Sequence, residues 1–282
     1  MFSRRFASAS VTVALLFPSL VSAADNCYVA GKVPLEKHEY SASIVLLLDE
    51  TVVFDTTQQE HIKENIHALI KSGHELKAFT FSAFQNDRYT LPVLDARLAK
   101  TLDNKTRDNM RKDHLRDFDT CQQVAEIRIK KMVDALLERY FAKSSSALSK
   151  SDVLSTMKEI GDNVIPMTKS KLKYMVMVSD MLENSNITSF YAPDTGPRKI
   201  DAAVELAKTD KAKVLTDYRG AKVYVIGAGV VPKSNKPQSG NYRSQEIMAP
   251  LKSFWAQYFE KSNAKLVEFG QPLLLAPLGE LK

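Results

Sequence analysis

An apolar run from Ile44 to Leu48 ends on Asp49, and a hydroxyl, Thr51, follows two residues later. A second apolar run, "KYMVMVSD", ends on Ser179 and Asp180. A carboxylate at the end of a buried strand can act as a nucleophile, a cation ligand, or an acceptor for the N–H groups of the following turn. In open parallel sheets, sites form outside the carboxyl ends of the strands, where strand order reverses. If the two runs are neighbouring strands, Asp49 and Asp180 converge there. Thr120, in "FDTCQQVAEI", stands at the expected start of a long helix and would add a third oxygen on the same rim. Carboxylate and hydroxyl oxygens with positions left for water suit a hard divalent cation, Mg²⁺ or Ca²⁺. The structural alternative is equally concrete: Asp49 and Asp180 would order their turns, and Thr120 would cap its helix beside Asp119.

Alternating strand and helix signals must position these groups. "ASIVLLL" is the continuous apolar run of a strand covered on both faces. Ile62, Ile66, Leu69 and Ile70 share one face of a helix expected from about Gln58 to Ser72, which Gly73 stops. "HELKAFTFSAF" and "RYTLPVL" flank a polar turn and form an expected hairpin, with Pro92 placing its second strand at an edge. The charged stretch 103–119 is a solvated helix or loop. A long helix is expected from near Cys121, with Ala125, Ile129, Met132, Val133, Leu136, Leu137 and Tyr140 inward. A short helix at about Val153 to Ile160 precedes the strand ending at Asp180. A helix near Lys199 to Lys208, the strand "AKVYVIG", a Gly/Pro/Ser-rich loop at 232–242, an aromatic helix and the edge strand "AKLVEFG" complete the chain. The expected fold is α/β and Rossmann-like: one mostly parallel sheet with an antiparallel edge strand and helices on both faces.

The order of these pieces resembles the von Willebrand factor A domain over about Ser43 to Leu275. Closest in kind are bacterial exported members with a "SDMLENS" segment and an aromatic last helix such as "LKSFWAQYF". The family's metal-dependent adhesion motif is Asp-x-Ser-x-Ser, a distant Thr and a distant Asp. The resemblance implies cation ligands at Asp49, Thr51, Thr120 and Asp180. It also implies recognition of a protein partner, through an acidic side chain, on the rim that carries the metal. The third motif position is Val53, which cannot ligate, so the motif is degenerate. Glu50 is outside the motif and is expected to face solvent.

The N-terminus, "MFSRRFASASVTVALLFPSLVSAAD", has a basic start, an apolar stretch and small residues suited to cleavage after Ala23, the layout of a secretory signal peptide. Expected organisation is therefore a leader at 1–23, an arm at 24–42 and a single domain at 43–282. The destination is periplasmic or secreted, with no membrane insertion after cleavage. In an oxidising compartment the two cysteines, Cys27 and Cys121, are an even number fit for pairing. With 44% hydrophobic and 26% charged residues the 282-residue chain can bury a large core. Its net charge of +6 is spread along the chain, so no nucleic-acid partner is expected.

An enzyme is not expected. A haloacid-dehalogenase-like phosphohydrolase would need a second Asp where Thr51 stands, and no Gly-x-Ser-x-Gly elbow is present. The remaining alternative is a structural component of an envelope or conjugation apparatus whose metal site has been lost.

Overall fold

The computed structural model describes residues 21–24, 27–33, 40–85, 88–146, 151–192, 196–230 and 243–278. The basic start and most of the apolar run of the expected leader, and the loop at 232–242, lie outside the described residues. In chain order the elements are β1 (Val21–Ala24), α1 (Cys27–Ala30), β2 (Ala42–Asp49), α2 (Thr56–Ala68), β3 (His74–Gln85), β4 (Arg88–Arg97), α3 (Asn104–Asn109), α4 (Lys112–Lys143), α5 (Val153–Glu159), β5 (Leu172–Val178), β6 (Tyr191–Ala192), β7 (Gly196–Pro197), α6 (Ala202–Ala212), β8 (Ala221–Ile226), α7 (Gln245–Lys261) and β9 (Ala264–Phe269).

A seven-stranded sheet runs in the order β1-β4-β3-β2-β5-β8-β9. β3, β2, β5, β8 and β9 are parallel, β4 is antiparallel to β3, and β1 lies parallel to β4. This is the expected Rossmann-like α/β architecture. Strand order leaves β2 in both directions, to β3 on one side and β5 on the other, so the switch point lies between β2 and β5.

The apolar run of β2 sits at the centre because both its faces are covered. Ile44, Leu46 and Leu48 enter one core with residues of α2 and α4, such as Ile62, Ile66, Ile129 and Val133. Val45 and Leu47 enter a second core with residues of α5, α6 and α7, among them Met157, Leu206 and Trp255. Successive strand residues point to opposite faces, which is why one unbroken run serves both. On α7, Phe254, Trp255, Tyr258 and Phe259 are fully buried.

Several boundaries differ from expectation for local reasons. α2 starts at a capping box, in which Asp55 accepts from the Gln58 N–H and the Gln58 side chain accepts from the Asp55 N–H. It ends at Ala68, and Gly73 takes a φ of +79° where an added Cβ would lie 2.8 Å from Ser41 Oγ. α4 begins at Lys112, well before Cys121; its first turns are charged and give no apolar period to read. β4 is flanked by β1 and is therefore an inner strand over Leu94 to Arg97. Pro92 lies outside that register, where its missing N–H is harmless. Val21, Ser22 and Ala23, in β1, precede the expected cleavage point.

Cys27 and Cys121 form a disulfide across 94 residues of sequence. It joins α1 to the N-terminal half of α4, where Tyr28 also packs on Phe118 with ring centroids 5.5 Å apart. In the chain-entropy picture, closing a loop of that length stabilises by roughly 4.7 kcal/mol. Cys27→Ser together with Cys121→Ser is expected to lower the unfolding free energy by about that amount in a urea titration. An unchanged midpoint would show that the bridge constrains nothing in the unfolded chain.

Candidate functional site

The switch point brings together the two strand-end carboxylates. Asp49, the last residue of β2, is completely buried. Its Oδ1 accepts from the Thr51 N–H at 3.0 Å and the Thr51 hydroxyl at 2.6 Å. Its Oδ2 accepts from the Ser179 hydroxyl at 2.7 Å and the Ser151 hydroxyl at 3.2 Å. The Tyr140 hydroxyl, near the end of α4, donates to the Asp49 carbonyl at 2.8 Å. Burial pushes the Asp49 carboxyl up, and the hydrogen bonds from Thr51, Ser179 and Ser151 pull against it.

Asp180 lies two residues beyond β5, 8% exposed. Its Oδ1 accepts from the Leu182 N–H at 3.0 Å. Burial pushes its carboxyl up to about 7, with the Asp49 charge adding, while the Leu182 N–H and the Arg243 guanidinium oppose. The turn that presents it is tightly held. The Ser179 hydroxyl accepts from the Met181 N–H at 3.0 Å, and Met181 adopts a φ of +61°, uncommon for a residue with a side chain. The Met181 carbonyl accepts from the indole of Trp255, the chain's single tryptophan, at 2.9 Å. From the turn after β8, the Gly229 N–H donates to the Asp180 carbonyl at 3.0 Å.

Ser151 is the site residue that sequence reasoning missed. It precedes Asp152, whose side chain caps α5 by accepting from the Ser155 N–H. Its segment is tied to β3 by Asp152 N–H to Ser82 carbonyl at 2.9 Å, and to the segment after Asp180 by Asn184 N–H to Ser151 carbonyl at 2.8 Å. Next in line, Glu183 is fully buried; its Oε2 accepts from the Leu154 N–H at 2.9 Å, and its Oε1 has no hydrogen-bond partner among the described residues. Burial pushes Glu183 up to about 8, with the Asp152 charge adding.

Thr120 does not join them. It is an exposed residue inside α4, not at its N-terminus, and next to the disulfide. Tyr140 is the α4 residue that reaches Asp49, and 20 residues of helix separate it from Thr120, about 30 Å at 1.5 Å per residue. The helix that opens on the rim is α5, and a serine before its cap supplies the hydroxyl. Glu50 also departs from expectation: it is half-buried against Thr80 and Lys143, beside a small cavity that Leu136 and Tyr140 also line. Val53 is 41% exposed on the turn after Thr51. Of the histidines on α2, His61 Nε2 accepts from the Leu274 N–H and His67 pairs with Asp134, so both are structural.

The donor chemistry fits a hard cation. A hydroxyl that has donated its one proton keeps lone pairs for a metal. Thr51 and Ser151 are in that state, and Ser179, which also accepts from the Met181 N–H, keeps one lone pair fewer than they do. Thr51 and Ser151, with Asp180 as the charged ligand and Asp49 behind them, could hold Mg²⁺ or Ca²⁺. Among the described residues no group of three or more His, Cys, Asp or Glu could hold a metal, so any site here depends on hydroxyls.

No family model and no curated protein matches the chain. Among solved structures, an aerotolerance-related membrane protein from Bacteroides fragilis is 12% identical with a TM-score of 0.39, covering 84% of this chain and 93% of that one. BatB from Bacteroides thetaiotaomicron is 11% identical with a TM-score of 0.36, covering 82% and 90%. The pilus adhesin SpaC from Lactobacillus rhamnosus GG is 9% identical with a TM-score of 0.37, covering 79% of this chain and 27% of the adhesin. The architecture therefore rests on the strand order itself. No helix among the described residues is long and apolar enough to cross a membrane.

In the folded chain Glu183 and Asp180 hold their protons up to about pH 8 and about pH 7, whereas the unfolded chain releases them near pH 4. Their contribution to stability is complete below pH 4 and is lost as pH rises through 7 and 8. Metal-free protein is expected to melt at steadily lower temperature from pH 5 to pH 8.5, and Glu183→Gln to flatten the upper part of that fall. A melting temperature constant over this range would contradict the burial of these carboxyls.

Proposed function

We propose that the chain is an exported von Willebrand factor A-like module that recognises a protein partner through a divalent cation on the rim between β2 and β5. The observation that carries this reading is the convergence of two buried carboxylates, Asp49 and Asp180, with two hydroxyls, Thr51 and Ser151, whose protons are already donated to Asp49. Like charges in a buried site favour whatever neutralises them, and a divalent ion does so while its remaining coordination positions stay open to water or to an acidic side chain. The bound ion would supply a Lewis-acid anchor for such a carboxylate. Thr51 and Ser151 would hold it, Asp49 would orient both hydroxyls, and Asp180 would neutralise it.

The module is not an enzyme in this reading. Asp49 has both oxygens engaged and no exposed surface, which disfavours a phosphohydrolase nucleophile. Export fits the leader-like N-terminus and the Cys27–Cys121 bridge, since such bonds persist in oxidising compartments. Val53 favours the second reading, a structural envelope or conjugation component with a lost metal site. Its exposed isopropyl group stands at the third motif position, and Asp49 is fully hydrogen-bonded by protein groups alone.

Thermal melts of chelator-stripped protein titrated with Mg²⁺, Ca²⁺ or Mn²⁺ separate the two. Saturation at 100 times the dissociation constant should stabilise the fold by about 2.7 kcal/mol. Asp180→Ala and Ser151→Ala are expected to abolish that shift, and Thr120→Ala to leave it intact. Absence of any saturable shift in the unaltered protein would assign the rim to the structural reading.

A further inference from the structure

Arg243 stands two residues before α7 and is half-buried on the rim. Its Nη2 reaches the Val230 carbonyl at a long 3.4 Å, and its Nε, shielded from solvent, has no hydrogen-bond partner among the described residues. Val230 follows Gly229, whose N–H is bonded to the Asp180 carbonyl, so the guanidinium is delivered to the Asp180 turn. Among the described residues this half-buried donor has few partners, and Asp180 and Tyr191 are the groups whose fields it shares. It forms no direct ion pair with Asp180 among the described residues, and the two interact by charge alone.

We propose that Arg243 is the built-in counter-charge of Asp180 and that it opposes the divalent cation, setting how much free cation the rim needs before it can engage a partner. The inference rests on the cation reading given above. In the metal-free state the guanidinium offsets part of the charge of ionised Asp180. When the cation enters, two positive groups share one carboxylate, and the repulsion weakens cation binding. Arg243 therefore raises the cation concentration at which the rim switches on. The Trp255 indole donates to the Met181 carbonyl, one residue past Asp180, and so reports on the same turn.

The test is Mn²⁺ binding by the full chain, read by calorimetry and by the fluorescence of Trp255, for the unaltered protein, Arg243→Gln, Arg243→Met and Arg243→Lys. Circular dichroism establishes that each is folded. Removing one positive charge several ångströms from a divalent ion is expected to tighten binding by on the order of ten-fold, and this gain should shrink as salt is added. Arg243→Lys, which keeps the charge, should bind as the unaltered protein does. Two neutral variants guard against one failing to fold. Equal or weaker Mn²⁺ binding by the neutral variants, with binding by the unaltered protein intact, would overturn the role of Arg243 and leave the cation site standing. No binding by any of the four proteins would overturn the cation reading and this inference with it.

Discussion

The burial of one carboxylate, Asp49, organises the rim of this molecule. A charge removed from water is costly unless it is paired and hydrogen-bonded. Here the pairing is distributed: Thr51 from the turn after β2, Ser151 from the approach to α5 and Ser179 from the exit of β5 all donate to it. Tyr140 adds α4 through the carbonyl of the same residue. Segments far apart in sequence are thereby fixed on one point, and the loops of the rim inherit the rigidity of the sheet.

A second level of constraint holds Asp180. Its turn needs a left-handed Met181, and that conformation persists because the Ser179 hydroxyl, the Trp255 indole and the Gly229 N–H each fix one side of it. The aromatic face of α7 has a role here beyond filling a core, since its indole N–H is turned toward the site. The Cys27–Cys121 bridge constrains the opposite end of α4 and leaves the rim to its own hydrogen bonds.

The fold was legible because its signals are local and strong. The apolar run of β2, the amphipathic face of α2, the hairpin around 86–87 and the aromatic stripe of α7 each predict their own element. So was the placement of Asp49 and Asp180 at neighbouring strand ends, since strand-end carboxylates at a switch point follow from topology. The hydroxyl was misplaced for a specific reason. The first turns of α4 are charged on all sides, so periodicity shows only from Ala125 onward, and Thr120 looked like a cap when it lies well inside a 32-residue helix. The signal that could have found Ser151 was present: Ser-Asp before the apolar Val153-Leu154 is a cap at the start of the helix that precedes the second carboxylate strand. Glu183 and Arg243 gave no such signal, because their burial depends on how distant segments close over the rim.

The proposed function depends on where a cation sits, and diffraction locates it most directly. Crystals grown with Mn²⁺ and measured at the manganese edge should show one strong anomalous peak on the rim, within about 2.5 Å of the Thr51 and Ser151 hydroxyl oxygens and on the Asp180 side of Asp49. A rim without that peak, in crystals whose Thr51 and Ser151 still donate to Asp49, would contradict the account and leave the carboxylate network as a purely structural clasp.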